Sequence, residues 1–209
     1  MYWIGRPAES RDLATEGLRY ASGGQQAARL HLSYVRAAAR LGDTDAVRRA
    51  IDDAHDAHDR GHGDELADMG GEYTFSWATH HCYAGAALAG LGGAHPQAAA
   101  ELEQAIGLYD KGPGDREQHW SAGQPLASID LAVVRLRSGA LDAAATALEP
   151  VFRVQPGQRI TQLTTRLAAV RNELAAPIYR TSAQAREVSE HIEEFTREAA
   201  ICGFRSCPG

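Results

Sequence analysis

The sequence predicts an all-α fold in which antiparallel helix hairpins stack side by side, and two observations support this prediction. The first is the composition, since 44% of the residues are hydrophobic but only 7% are aromatic. Much of the apolar remainder is alanine, which favours closely packed helices. The second is a corner that recurs along the chain, in which a glycine follows a small or apolar helix end. No segment alternates convincingly between apolar and polar residues as a half-buried strand would.

The corner at residues 41–46 shows how each hairpin is expected to form. A helix is predicted to end at Leu41, and Gly42 can take the left-handed conformation that closes a helix end. One of the residues 43–45, which are Asp, Thr and Asp, then caps the next helix through a side-chain oxygen. Corners of the same kind are predicted at Gly5, Gly92 and Gly139.

Apolar residues recur at helical spacing between these corners and predict which face of each helix is buried. The predicted stripes are Leu13 and Leu18; Leu30, Tyr34, Ala37 and Leu41; Ala46, Val47, Ala50, Ile51 and Ala54; Ala98, Leu102, Ala105, Ile106 and Tyr109; Ile129, Ala132, Val133 and Leu136; Ala144, Leu148 and Val151; Ile160, Leu163, Leu167, Val170 and Leu174; and Val188, Ile192, Phe195 and Ala199.

The spacing of the corners predicts a helical repeat. The four glycines are 37, 50 and 47 residues apart, whereas a tetratricopeptide repeat (TPR) has a period of about 34 residues. Polar loops at 61–72 and 111–118 explain the longer units. We therefore expect a TPR-like superhelix, or solenoid, of four to five antiparallel helix pairs over residues 1–202. Residues 203–209 are expected to be a flexible tail, and residues 1–5 the end of a helix that begins in a longer chain.

Charge and motifs narrow the function classes. The net charge of −6 argues against direct contact with nucleic acid. No apolar stretch is long enough to predict a membrane span. No signal peptide is predicted, because the N-terminus lacks a basic region followed by an apolar run. The odd number of cysteines, three, fits a reducing cytoplasm. Nucleophile, phosphate-loop and zinc-protease motifs are missing, so neither an enzyme nor a cofactor is predicted.

The most unusual stretch, residues 73–83, combines four aromatics, two histidines and a cysteine at the start of a helix. First helices of stacked hairpins line the concave surface, where such groups can hold a peptide or a flat small molecule. We therefore predict a groove lined by Tyr73, Trp77, His80 and His81, with Trp120 added from a later loop. The alternative is that the aromatics are core between repeats and the histidines lie at its edge.

A metal site is not predicted, although one set of histidines has suitable spacing. His55, His58 and His62 follow at i, i+3 and i+7, with aspartates nearby that could join them in binding a divalent ion. However, Gly61 is expected to end the helix before His62. Segment 43–65 also has eight acidic residues and three arginines, which is typical of a solvated face. The adjacent residues 80–82 point in different directions on a helix and do not form a metal site either.

Several short segments, in this order, are similar to a known group of proteins. They are Tyr2-Trp3-Ile4-Gly5-Arg6-Pro7-Ala8-Glu9, Gly70-Gly71-Glu72-Tyr73-Thr74-Phe75, Leu148-Glu149-Pro150-Val151-Phe152, Arg166-Leu167, Pro177-Ile178-Tyr179-Arg180 and Ile192-Glu193-Glu194-Phe195. With them the chain resembles the C-terminal helical-repeat region of actinobacterial helix-turn-helix transcriptional regulators of the Xre/Cro-repressor-like type.

The resemblance implies a sensing or interaction role. In that group a small DNA-binding domain precedes the repeats, and this sequence shows no segment of that kind. The implied partners are a peptide, a protein or a small-molecule effector, or a second copy in a homodimer, while DNA would be contacted by the missing N-terminal domain. A stand-alone TPR scaffold or adaptor is the alternative, and an enzyme with a site in the groove is a further one. The group offers no set of functional residues that carries over to this chain.

Overall fold

The structure is a computed structural model that describes residues 5–21, 23–60, 67, 69–70, 73–93, 95–112 and 121–205, with side chains described as far as Ala199. All regular secondary structure in these ranges is helical, which confirms the predicted all-α class. None of the described helices combines the length and apolarity that crossing a membrane requires.

The chain divides into two compact units, Met1–Trp120 and Ser121–Gly209. The helices of the first unit are α1 (Pro7–Leu18), α2 (Gly24–Arg40), α3 (Thr44–Asp59), α4 (Trp77–Ala89) and α5 (His95–Asp110). Those of the second unit are α6 (Gly123–Arg137), α7 (Leu141–Phe152), α8 (Thr161–Leu174) and α9 (Ala183–Arg205), with short 3₁₀ turns at Pro156–Gln158 and Pro177–Tyr179. The expectation of one repeat domain over 1–202 stays a prediction.

Helices in each unit pack as adjacent hairpins. In the first unit α2 packs against α1 and α3, α4 packs against α5, and α2 also contacts α4. In the second unit α6 packs against α7, and α8 against α9. There α6 also contacts α8, and α7 contacts α9. The first helices of successive hairpins therefore contact each other within each unit.

The predicted corner at Gly42 is confirmed in detail. Gly42 has a φ of 76°, in the left-handed region that glycine adopts without a steric penalty. The Asp43 amide donates to the Ala38 carbonyl at 3.1 Å, which closes α2. The Asp43 carboxylate then accepts from the Ala46 amide at 3.0 Å and caps α3. Gly139, with a φ of 79°, makes the equivalent corner between α6 and α7.

Most predicted core stripes are buried as expected. The confirmed positions are Ala46, Val47, Ala50, Ile51 and Ala54 in α3; Ala98, Leu102 and Ala105 in α5; Ile129, Ala132, Val133 and Leu136 in α6; Ala144, Leu148 and Val151 in α7; Leu163, Leu167, Val170 and Leu174 in α8; and Val188, Ile192 and Phe195 in α9. Regular helical spacing therefore located the core of both units.

Other predicted stripe positions are wrong. Leu13 is 59% exposed, and Leu41 and Ile160 are also exposed. In α2 the larger buried residues are Leu32 and Val35 rather than the predicted Leu30 and Tyr34, which are half-buried. The reason is that α2 contacts α1, α3 and α4, so its buried surface extends beyond a single stripe.

Tyr179 and Arg159 are among the polar side chains that connect elements of the second unit. The Tyr179 hydroxyl donates at 2.5 Å to the Leu136 carbonyl near the end of α6, which also accepts from the Gly139 amide at 2.9 Å. Burial raises the pKa of this phenol, and the Glu173 charge adds to the shift. Arg159 donates to the Val154 and Phe195 carbonyls at 2.9 Å and to Glu198 at 2.8 Å. Its guanidinium lies 4.0 Å from the centre of the Phe195 ring, so the turn before α8 is fastened to α9.

Candidate functional site

Four imidazoles and one indole gather in the first unit where α3 meets the start of α4. His55 and His58 come from α3, and Trp77, His80 and His81 come from α4. We call these five residues the histidine cluster. The sequence analysis treated these residues as two separate sets. It considered His55 and His58 as metal ligands, and it predicted that Trp77, His80 and His81 line a groove.

Local helix geometry explains which side chains take part. His55 and His58 are three residues apart on α3, and His81 follows Trp77 by four residues on α4, so each pair shares one helix face. The start of α4 is fixed by Ser76, whose hydroxyl accepts from the Thr79 amide at 3.2 Å. This cap sets the position at which the aromatic run enters the helix.

The rings contact one another closely. The ring centres of His55 and His80 are 4.4 Å apart, and those of His58 and Trp77 are 3.9 Å apart. Trp77 also lies 4.9 Å from His80 and stacks on His81 at 5.5 Å. The indole therefore packs against the histidines of both helices.

Three of the four imidazoles are held by acceptors. His55 Nδ1 lies 3.1 Å from the Ile51 carbonyl, and His58 Nε2 lies 2.6 Å from the Phe75 carbonyl. A carbonyl only accepts, so each of these nitrogens carries the proton. His81 Nδ1 pairs with the Glu101 carboxylate of α5 at 2.7 Å. These contacts fix the ring orientations, and they join α3 to the loop before α4 and α4 to α5.

His80 differs from its neighbours. It is 0% exposed, and neither of its ring nitrogens has a hydrogen-bond partner in the described part of the chain. Burial, followed by the charges that His55, His58 and His81 carry when protonated, lowers the pKa of His80 to about 2. The ring is therefore neutral at physiological pH. An unsatisfied buried polar group costs about 1–3 kcal/mol, so this imidazole is an unusual choice for a packed interior.

The predicted groove residues are only partly brought together. Trp77, His80 and His81 are in contact, but His80 is fully buried and His81 is 5% exposed, so these two do not line an open surface. Tyr73 is 48% exposed, and its carbonyl accepts from Gln26 at 2.6 Å. Trp120 and His62 lie outside the described residues. A ligand-binding role for this set stays a prediction.

The sequence did not single out Glu101, which the structure places beside His81. The available signal was Gly85, one helical turn after His81. A β-carbon at Gly85 would meet Leu102 at 2.6 Å and Glu101 at 3.1 Å. The glycine therefore lets α5 approach α4 closely, which brings the Glu101 carboxylate within reach of the imidazole.

Comparison with protein families, curated proteins and solved structures gives no match to this chain. Function is therefore inferred from the packing of the helices and from the chemistry of the histidine cluster.

Proposed function

We propose that this chain is a TPR-like helical-repeat region that binds a peptide, a protein partner or a small ligand as the sensing or interaction part of a bacterial helix-turn-helix transcription regulator. One observation carries the proposal: α2 contacts α4 in the first unit and α6 contacts α8 in the second. In solenoid proteins the stacking of equivalent helices builds an extended concave binding surface.

The hairpin corners support the repeat interpretation. Gly42 and Gly139 have the same left-handed conformation, and the amide that follows each glycine bonds back to a carbonyl near the end of the preceding helix. Two hairpins, one in each unit, are thus closed by the same local structure. Recurrence of one supersecondary unit along a chain is typical of repeat proteins.

The regulator role is supported by the ordered segments that resemble Xre/Cro-like regulators and by the acidic charge of the chain. A net charge of −6 disfavours contact with phosphates, so DNA binding in such a protein would belong to a separate basic domain. On this proposal the present chain transmits the state of its ligand or partner to that domain.

The test uses the native gene with an affinity tag fused after Gly209. We expect chromatin immunoprecipitation to enrich a small set of promoters over an untagged strain. After the mass of the tag is subtracted, we also expect the purified native protein to be heavier than the 22.4 kDa of this chain, because it includes a DNA-binding domain. A native protein of 22.4 kDa that enriches no DNA would contradict the regulator role and favour a stand-alone scaffold.

A further inference from the structure

We propose that His55, His81 and Glu101 bind a divalent transition-metal ion, and that this ion is Zn²⁺. The three side chains come from three helices, α3, α4 and α5, and each offers a ligand atom within 4.8 Å of the others. The sequence predicted no metal site, because no local pattern shows which residues of α5 lie beside His81.

The spacing is close to what a zinc site needs. Zinc–nitrogen distances of 2.0–2.1 Å in a tetrahedral site place ligand atoms roughly 3.3 Å from one another. The three atoms lie within 4.8 Å of one another, so no separation has to shrink by more than roughly 1.5 Å for tetrahedral zinc. Small side-chain rotations achieve this, because His55 and Glu101 are only partly buried.

The imidazole of His55 is already oriented as a metal ligand. The Ile51 carbonyl holds its Nδ1 at 3.1 Å, which leaves Nε2 with the lone pair. Metal-bound histidines almost always donate their other ring N–H to a carbonyl or a carboxylate in this way. The 2.7 Å hydrogen bond between His81 Nδ1 and the Glu101 carboxylate keeps the other two ligand groups side by side. The proton that these two groups share is released to solvent when both bind the ion.

The buried, unpartnered imidazole of His80 is a second, independent indication of a ligand at this place. Its ring centre lies 4.4 Å from that of His55 and 5.4 Å from that of His81, and both its nitrogens lack hydrogen-bond partners among the described residues. Three protein ligands leave the fourth zinc position to water. We assign His80 as the acceptor of a hydrogen bond from that water, which gives one of its two unpartnered ring nitrogens a partner.

The donor set selects the kind of metal. Ca²⁺ takes six to eight oxygen ligands and Mg²⁺ an octahedral shell that retains several waters. Two imidazoles and one carboxylate suit zinc and its neighbours in the transition series instead. This assignment does not depend on whether the chain belongs to a regulator.

The test is a calorimetric titration of the untagged, EDTA-stripped full chain with ZnCl₂. We expect one Zn²⁺ per chain in the wild type. Glu101→Gln and His55→Gln, which keep side-chain size and polarity, are expected to weaken binding at least tenfold. Glu103→Gln, two residues from Glu101 on the exposed side of α5, is the matched control and should bind like the wild type. Far-ultraviolet circular dichroism checks that each variant is folded.

A second measurement needs no variant. Added Co²⁺ should give the ligand-field absorption of a tetrahedral nitrogen–oxygen site in the wild type, and Zn²⁺ should remove it. Zinc binding of equal strength in a Glu101→Gln/His55→Gln double variant, or an octahedral Co²⁺ spectrum, would overturn the proposal. Neither result bears on promoter binding, so the zinc site can be disproved without affecting the proposed regulator role, and the reverse also holds.

Discussion

At the scale of single residues, His80 is the least expected feature of the chain. Its neighbours His55, His58 and His81 each have a hydrogen-bond acceptor. His80 is fully buried, with none on the described part of the chain. Natural interiors rarely keep a polar group unsatisfied without a structural or functional reason. Without a bound ion, this imidazole is a cost to stability.

We expect His80→Leu to stabilise the metal-free protein by about 1 kcal/mol at pH 7, because the variant no longer buries unpaired ring nitrogens. It should also reduce the loss of stability in acid. The wild-type imidazole takes a proton near pH 6.5 when unfolded but only near pH 2 when folded. Stability is therefore lost as pH falls from about 6.5 toward 2, by at most about 1.4 kcal/mol per pH unit.

Urea denaturation in EDTA at pH 7 and pH 5 measures both effects. An equal loss of stability between these pH values in His80→Leu and the wild type would show that the ring is protonated in the folded protein, contrary to the expected pKa.

Residue-scale features were predictable where they are local. The glycine corner at position 42 and a cap from one of residues 43–45 follow from a few neighbouring residues. The structure confirms the corner and shows that Asp43 makes the cap. The pairing of His81 with Glu101 spans 20 residues of sequence and depends on which helix lies beside α4. Gly85 indicates that another helix comes close to α4, but no local pattern shows which residues of that helix face His81.

At the scale of elements, the predictions succeeded for helices with simple packing. The stripe of α3 is buried as expected, and α3 packs mainly against α2. The stripe of α2 is only partly correct, since α2 contacts three helices and buries Leu32 and Val35. Periodicity identifies a single buried face, so it fails where a helix is enclosed from several sides.

The contact between α4 and α5 gives a prediction with a matched control. In Gly85→Ala, the new β-carbon would lie 2.6 Å from Leu102 Cγ, and we expect a loss of about 1–3 kcal/mol from overpacking. Gly107→Ala, in α5 with no atom within 4 Å of the added carbon, should instead gain about 0.5–1 kcal/mol through helix propensity. Urea denaturation measures both variants. A gain in Gly85→Ala would mean that the two helices lie further apart than the structure shows.

At the scale of the whole molecule, sequence reasoning gave the all-α class but not the long-range arrangement. The alanine content and the glycine corners report on packing within a single helix hairpin, and they correctly predicted helices that pack in pairs. The way successive hairpins are disposed along the chain depends on contacts between distant residues. The TPR-like superhelix therefore stays a prediction, and so do its extent over residues 1–202 and the cytoplasmic location.

The overall charge predicts that this chain alone does not bind DNA. With a net charge of −6, the protein should be repelled by the phosphate backbone of DNA, and it should not displace the counterions bound to the DNA. Fluorescence anisotropy of a labelled promoter fragment should stay unchanged on addition of the protein at low ionic strength, with a basic DNA-binding protein as positive control. Binding that weakens steeply with added salt would contradict this expectation.

Arg159 bears on how the protein is shortened in the laboratory. A truncation after residue 194 removes the Phe195 ring, the Phe195 carbonyl and the Glu198 carboxylate together. The guanidinium, whose side chain is 7% exposed in the intact chain, would then keep only the Val154 carbonyl. Expression clones that stop before Phe195 thus damage the start of α8 as well as the end of α9.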